Sequence, residues 1–347
     1  MSSNQSNSFE SGSSIKPIPP ERVLELFYGF NVTQVIYVTA KLGLADHLNN
    51  AAKTCEELAL ELGVNAKVLH HIMRFMIYLG FVTVDKKGGY QLTPFGSYLR
   101  SDTPNSLVGT ALSVGSLHYP TWGNLLHSLQ TGKAAFDKTF QMGIYEYLGQ
   151  NTEANTHFNQ WVEEITRDRN LPLLNEYDFS SIKHFIDVGG GTGILTAAVL
   201  KKHQNLQATL FEQAHVIDEA EKLLNEAGVS ERCQIIEGDF FDTIPEGGEL
   251  YILSRVLLNW DDENALKILK NCRAAMSPSA KLLIMDFVLP NQDETIHEIS
   301  LSLALLLLFD RLLRTEDEYY ELISNAGFQS PKLIKRGTIN FIEATVN

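Results

Sequence analysis

The sequence predicts an α/β protein whose sheet domain follows a helical N-terminal domain containing a winged helix. Two observations carry that prediction. From His184 onward, strand-length apolar runs alternate with amphipathic helical stretches, the signature of a parallel sheet with crossover helices. From about Glu21 to Arg100, helical periodicity dominates and ends in a hairpin. The expected divisions are a tail over residues 1–20, a winged-helix domain over 21–104, a helical linker and lid over 105–178 and the sheet domain over 179–347.

The totals narrow the function. A chain of 347 residues holds two or three cores, and 44% hydrophobic with 20% charged residues is ordinary for a globular protein. Lys+Arg 28 against Asp+Glu 42 gives a net charge of -14, which repels a phosphate backbone, so no nucleic acid partner is expected. Cys55, Cys233 and Cys272 lie far apart without a CxxC, as reduced thiols of a cytoplasmic protein do. The opening "MSSNQSNSFESGSS" lacks a basic region and an apolar run, so it reads as a disordered tail and not a signal peptide. "ISLSLALLLLF", Ile299 to Phe309, is about half the length that spans a bilayer, so it reads as a buried helix and no membrane partner is expected.

In the N-terminal domain, "ERVLELFYGFNVTQVIYVTAKLGL" carries Leu24, Leu26, Phe27, Phe30, Val35, Ile36 and Val38, more apolar surface than one helical stripe needs. Such excess predicts a homodimer interface. Thr54 caps the next helix, Glu57 completes a capping box and Gly63 ends it. A helix over Ala66 to Leu79 places Leu69, Ile72, Met73 and Met76 on one face, and "FVTVD" and "GYQLT" flank the turn "KKGG". Lys67, His70, His71 and Arg74 are too few cations for a DNA-reading helix in so acidic a chain. The stretch from about Leu107 to Tyr177 is helical and rich in aromatics, most of them expected in the core.

The chemistry concentrates at strand ends. "HFIDVGGGTGILTAAVLKK" reads as strand, glycine turn and helix, with Asp187 before the turn and Gly189, Gly191 and Gly193 letting the backbone approach a ligand. Ile194 occupies the third-glycine position of a dinucleotide fingerprint, so that fingerprint fails. The next strand, "QATLFE", ends in Glu212, whose carboxylate suits the two hydroxyls of a ribose. "CQIIEGDFFD" then offers Asp239 to an adenine amino group and Phe240 to its ring. Acids at successive strand ends make a nucleoside pocket without a pyrophosphate clamp. No His, Cys and carboxylate cluster has metal spacing, so no metal is expected.

"IDVGGGTG", "LFE", "GDFFD", "LLNWDDENALKILKN" and "RTEDEYYELISNAGF" together resemble the class I S-adenosylmethionine (SAM) dependent O-methyltransferases of small molecules, the plant phenylpropanoid and bacterial tailoring type. The likeness runs from about Val23 to Thr345. It implies a Rossmann-like SAM-binding domain with a seven-stranded sheet, an N-terminal dimerisation domain, SAM as cofactor with S-adenosylhomocysteine (SAH) as product, and a hydrophobic small-molecule substrate. It further implies that Gly189 and Gly191 face the methionine part of SAM, Glu212 the ribose, Asp239 and Phe240 the adenine, Ser254 the amino-acid end, and that Trp260 lies against the adenine. His118, Trp122, Met142, Trp161, Asn259 and Leu305 are the candidate substrate contacts.

One stretch departs from the family pattern. "RVLLNWDDENALKILKN" reads as the end of an apolar strand, a break and an amphipathic helix. Typical members carry "LHDWSDE" there, with a histidine as general base held by two glutamates. In this chain the histidine falls on Leu258, its aspartate on Asn259, and the glutamates on Asp286 and Leu313. Methyl transfer without a base is chemically sound, because an in-line displacement gains much of its rate from alignment. A base adds about 100- to 10,000-fold, most for a nucleophile of high pKa. The reading is therefore methyl transfer to a hydroxyl of an aromatic or polycyclic secondary metabolite by proximity and orientation, with Asn259 in a positioning role and no certain catalytic residue. N- or C-methylation, or a non-methylating SAM-binding tailoring enzyme, are the alternatives. His118, His157 and His297 lie in segments where a substitute base could stand.

Overall fold

The computed structural model describes residues 20–49, 51–174, 177–289, 295–335 and 339–346. The expected tail, up to residue 19, lies outside them. The helices used below are α1 (Pro20–Phe27), α2 (Gly29–Lys41), α3 (Cys55–Leu62), α4 (Ala66–Tyr78), α5 (Val108–Ser113), α6 (Thr152–Ile165), α7 (Ile194–Lys202), α8 (Asp262–Ala275), α9 (Ile296–Phe309) and α10 (Glu316–Asn325). The N-terminal domain is the expected winged helix. The Thr54–Glu57 capping box starts α3, Gly63 ends it with φ 66°, and α4 buries Leu69, Met73 and Met76. The wing pairs β1 (Val82–Val84) with β2 (Tyr90–Leu92) in antiparallel register.

The remaining strands are β3 (His184–Val188), β4 (Gln207–Glu212), β5 (Cys233–Glu237), β6 (Leu250–Ser254), β7 (Lys281–Phe287), β8 (Gln329–Lys335) and β9 (Ile339–Thr345). They form one seven-stranded sheet in the order β5-β4-β3-β6-β7-β9-β8. The pairs from β5 through β7 are parallel, and β9 runs antiparallel to both β7 and β8. Strand order reverses between β3 and β6, the switch point where open sheets of this kind bind ligands at their C-terminal ends. Strands buried on both faces explain the continuous apolar runs of β3 and β6.

Two boundaries differ from expectation. The strand read through Leu258 ends at Ser254, and Leu257–Asn259 is a short 3-10 turn. Arg255 makes the break, with φ 56° in the left-handed region that a non-glycine residue adopts only when its surroundings hold it there. Its amide donates to the Met285 carbonyl oxygen at 2.9 Å, and its guanidinium to the Thr166 hydroxyl at 2.7 Å. The leucine-rich helix begins earlier, at Ile296. It buries Leu305, Leu307 and Leu308 but leaves Ile296 exposed.

Candidate active site

A cavity of about 240 Å³ opens at the switch point. The glycine loop and Ser254 form its floor, and α6 and α9 its walls. Among the expected site residues, Asp187, Gly189, Gly191, Ser254, Trp161, Leu258, Asn259 and Leu305 line it. Tyr145, Phe158, Glu163, Thr166, Arg255, Phe287 and Phe309 line it as well and were not singled out from sequence. His118, Trp122, Met142 and His157 are not in its wall. The His118 ring stands edge-on to Trp161, centroids 4.9 Å apart, one layer behind the cavity. The His297 side chain lies outside the described residues.

The loop geometry follows from its glycines. Gly189, Gly191 and Gly193 have φ of 69°, 58° and 79°, a conformation that disfavours any side chain. Gly190 is required for space, since a Cβ there would stand 2.6 Å from Asp187 Cγ. Asp187 is fully buried. Its Oδ2 accepts from the Thr196 hydroxyl at 2.6 Å, and its Oδ1 has no partner among the described residues. Burial pushes its carboxyl up to about 6, against the pull of Thr196 and with a small push from Glu212. An orphaned buried carboxylate oxygen beside an open glycine loop fits a ligand that carries positive charge, and SAM carries both an ammonium and a sulfonium.

Glu212, Asp239, Phe240 and Trp260 form a rim next to the cavity. Glu212 accepts from the amides of Gly191 at 2.9 Å and Gln213 at 2.8 Å, one on each oxygen, which leaves further lone pairs for a diol. Asp239 accepts from the Phe241 amide at 2.8 Å. A Cβ on Gly189 would lie 3.4 Å from the Phe240 ring, so that ring borders the loop. Trp260 packs edge-on against Phe241 at 4.7 Å between centroids and lies 6.0 Å from Phe240.

The strand-end turn is apolar. Leu258, Leu305 and Leu313 are 8%, 5% and 6% exposed and share one cluster with Met285 and Phe287. Asp286 alternates to the other face of β7, where its Oδ2 accepts from the Tyr319 hydroxyl at 2.9 Å. Burial pushes Asp286 up to about 7, opposed by the Tyr319 bond and by the charges of Arg314 and Arg255. Asn259 donates through Nδ2 to the Arg255 carbonyl oxygen at 3.0 Å, and its own amide oxygen has no partner among the described residues. Arg314 frames the turn, donating to the carbonyl oxygens of Leu257 at 2.8 Å and Trp260 at 2.6 Å and to Asp262 at 2.9 Å. No group of side chains able to hold a metal ion is present among the described residues. No helix among them is long and apolar enough to cross a membrane.

Comparisons with known proteins agree with this geometry. A family model described as an O-methyltransferase domain matches residues 122–329, and one described as an O-methyltransferase dimerisation domain matches residues 24–102. The phenazine O-methyltransferase PhzM of Lysobacter antibioticus is 38% identical over 323 residues, covering 93% of this chain and 95% of that protein. The 8-amino-8-demethylriboflavin N,N-dimethyltransferase of Streptomyces davaonensis is 31% identical, covering 89% and 91%. The crystal structure of human N-acetylserotonin methyltransferase in complex with SAM superposes with a TM-score of 0.87 at 25% identity, covering 96% of this chain and 99% of that one. With its sheet, glycine loop and dimerisation domain, the chain belongs to the SAM-dependent O-methyltransferase family and is a methyltransferase.

Proposed function

We propose that the protein methylates a hydroxyl of a planar aromatic or polycyclic secondary metabolite, working as a cytoplasmic homodimer by proximity and orientation without a histidine base. The observation that carries this reading is the Leu258–Asn259 turn. An apolar leucine lies where the family keeps its base, flanked by an amide side chain that lines the cavity. SAM supplies a methyl group on a sulfonium that departs as a neutral thioether. The chain's own residues do the rest. Phe158, Trp161, Leu301, Leu305 and Phe309 offer flat apolar walls to an aromatic acceptor. Asn259, tethered to the Arg255 carbonyl, holds a polar group of the acceptor in place. Asp187 and the glycine loop receive the charged end of the cofactor, and Glu212, Asp239 and Phe240 its nucleoside.

Substrates that ionise easily suit such a site, because an acidic phenol or enol needs little help to lose its proton. The same leucine favours a second reading, methyl transfer to nitrogen, whose lone pair attacks before any proton leaves. An N,N-dimethyltransferase among the relatives supports keeping it. The exposed apolar residues Leu24, Leu26, Phe27 and Phe30 on α1 and α2 support the dimer. The three free cysteines and acidic charge support a reducing compartment. The test is incubation with methyl-labelled SAM and a panel of hydroxylated and aminated tricyclic and naphthoate-type aromatics. Transfer to acidic phenols supports the first reading and transfer to amines alone the second, whereas SAM binding without transfer to any acceptor speaks for a non-methylating enzyme.

A further inference from the structure

Glu163 is the second acid in the cavity wall, and nothing in the strand-end pattern announces it. It lies on α6 two residues after Trp161, with its carboxylate 3.5 Å from the Thr192 hydroxyl, at the join of the glycine loop and α7. Its neighbour fixes the helix. Glu164 is buried and accepts from the amides of Gly109 at 2.8 Å and Thr110 at 2.7 Å and from the Thr110 hydroxyl at 2.6 Å. Gly109 lets α5 lie directly on α6, since a Cβ there would meet Gln160 Cβ at 2.5 Å. With Glu164 bonded to α5 on one side, its neighbour Glu163 faces the loop at Thr192.

The surroundings make that carboxylate costly on its own. Burial raises the Glu163 carboxyl, and Glu219 and Glu164 push it the same way, with Thr192 and Arg167 opposing. The fully buried Asp187, with its unpartnered Oδ1, lines the same cavity. Arg255 is the one basic side chain among the described residues that line the cavity, and its guanidinium donates to Thr166 and to the Val162 carbonyl. Two carboxylates in the wall of one partly desolvated cavity favour a cationic ligand.

We propose that Glu163 is a binding residue for the ammonium of the cofactor's amino-acid end, reaching it from the α6 side of the glycine loop beside Thr192. This rests on the SAM-dependent reading and assigns a ligand contact to α6, outside the nucleotide-binding strands. Glu163 thereby links the helix that presents Trp161 to the acceptor with the helix start that receives the cofactor. Cofactor binding then orders the acceptor wall from the same side.

The experiment is calorimetric titration of wild type, Glu163→Gln and Glu163→Asp with SAM, SAH and 5′-methylthioadenosine, which lacks the amino-acid end. The expected result is a loss of about tenfold for both SAM and SAH in Glu163→Gln. Glu163→Asp should lose less, and all three proteins should bind 5′-methylthioadenosine alike. Unchanged SAH affinity in Glu163→Gln overturns the proposal. So does a loss confined to SAM, which would place the carboxylate at the sulfonium, or an equal loss of 5′-methylthioadenosine, which would make Glu163 structural. Wild type that fails to bind SAH overturns the SAM-dependent reading itself, a separate outcome.

Discussion

Arg314 donates to the Trp260 carbonyl oxygen at 2.6 Å while a second nitrogen of the same guanidinium holds the Leu257 carbonyl at 2.8 Å, so one side chain brackets Leu258 and Asn259. The bracket starts from α10, whose Thr315–Glu318 capping box fixes the chain just after the arginine. The Leu257–Asn259 turn is therefore held from outside.

Arg314→Ala should strip the guanidinium from both carbonyl oxygens, leaving Leu257 only the Trp260 amide at 3.2 Å, and cost about 3 kcal/mol of stability. Arg314→Lys can reach one carbonyl but not two, and should fall between. Turnover should drop at least about tenfold in the alanine variant, because positioning at Asn259 depends on the turn. Thermal melting and methyl transfer on the same preparations check this. Full turnover in a destabilised Arg314→Ala would show that the turn keeps its shape unaided.

Leu258→His should not raise turnover. The new imidazole would enter a cluster of Leu305, Leu313 and Phe287, whereas Asp286 lies on the other face of β7, with Oδ2 bonded to Tyr319 and Oδ1 without a partner among the described residues. Burying that ring without a partner costs about 1 to 3 kcal/mol. Leu258→His with Leu313→Glu restores an orienting carboxylate and is the variant in which a gain is expected. Asn259→Leu should lower turnover about tenfold with little effect on SAM affinity. Rates from pH 6 to 9 decide it, and a large gain from Leu258→His alone would mean that the leucine is a simple loss.

What was legible in the sequence was local. The glycine loop, Glu212 and Asp239 announce themselves because a strand end and its turn are contiguous in the chain, and the capping box at Thr54 is read from spacing alone. Arg314 and Arg255 were not legible, because their partners are remote. Arg314 reaches back 57 residues to Leu257, and Arg255 reaches 89 residues to Thr166. The strand boundary at Ser254 was misplaced for the same reason. Val256, Leu257 and Leu258 suit a buried strand, but contacts from α6 and β7 hold Arg255 at positive φ and end it. Glu163 shared this fate, one of two adjacent glutamates whose separate roles only the packing of α5 on α6 distinguishes.

His118→Phe should stabilise the protein and spare its activity. The imidazole Nε2 is buried without a partner among the described residues, and burial pushes the ring down to about 4. A histidine depressed in the folded state favours folding above its unfolded pKa near 6.5, and that contribution is lost as pH falls toward 4. Wild type should therefore lose about 1 kcal/mol between pH 7.5 and 5.5 that the variant keeps. Phenylalanine retains the edge contact with Trp161, so KM should stay within about twofold. A KM raised tenfold or more would mean that the imidazole reaches the substrate.

Asp187→Asn separates stability from function at the centre of the site. Asp187 is raised from 3.8 to about 6 in the folded protein, so the folded state holds its proton where the unfolded state has released it. Unfolding then releases protons between these values. Stability consequently falls as pH rises through that window and remains lower above it. Asparagine keeps an oxygen for the Thr196 hydroxyl and has no charge to desolvate. The ligand-free variant should match wild type near pH 4 and exceed it by about 1 to 3 kcal/mol at pH 8. The same change removes the buried anion that the charged end of SAM requires, so SAM should bind at least about tenfold more weakly at pH 8. Denaturant unfolding at the two pH values and calorimetry with SAM measure the two halves. A variant less stable at pH 8, with SAM affinity intact, would mean that Asp187 is held charged by the protein alone and that its orphaned oxygen does not face the cofactor.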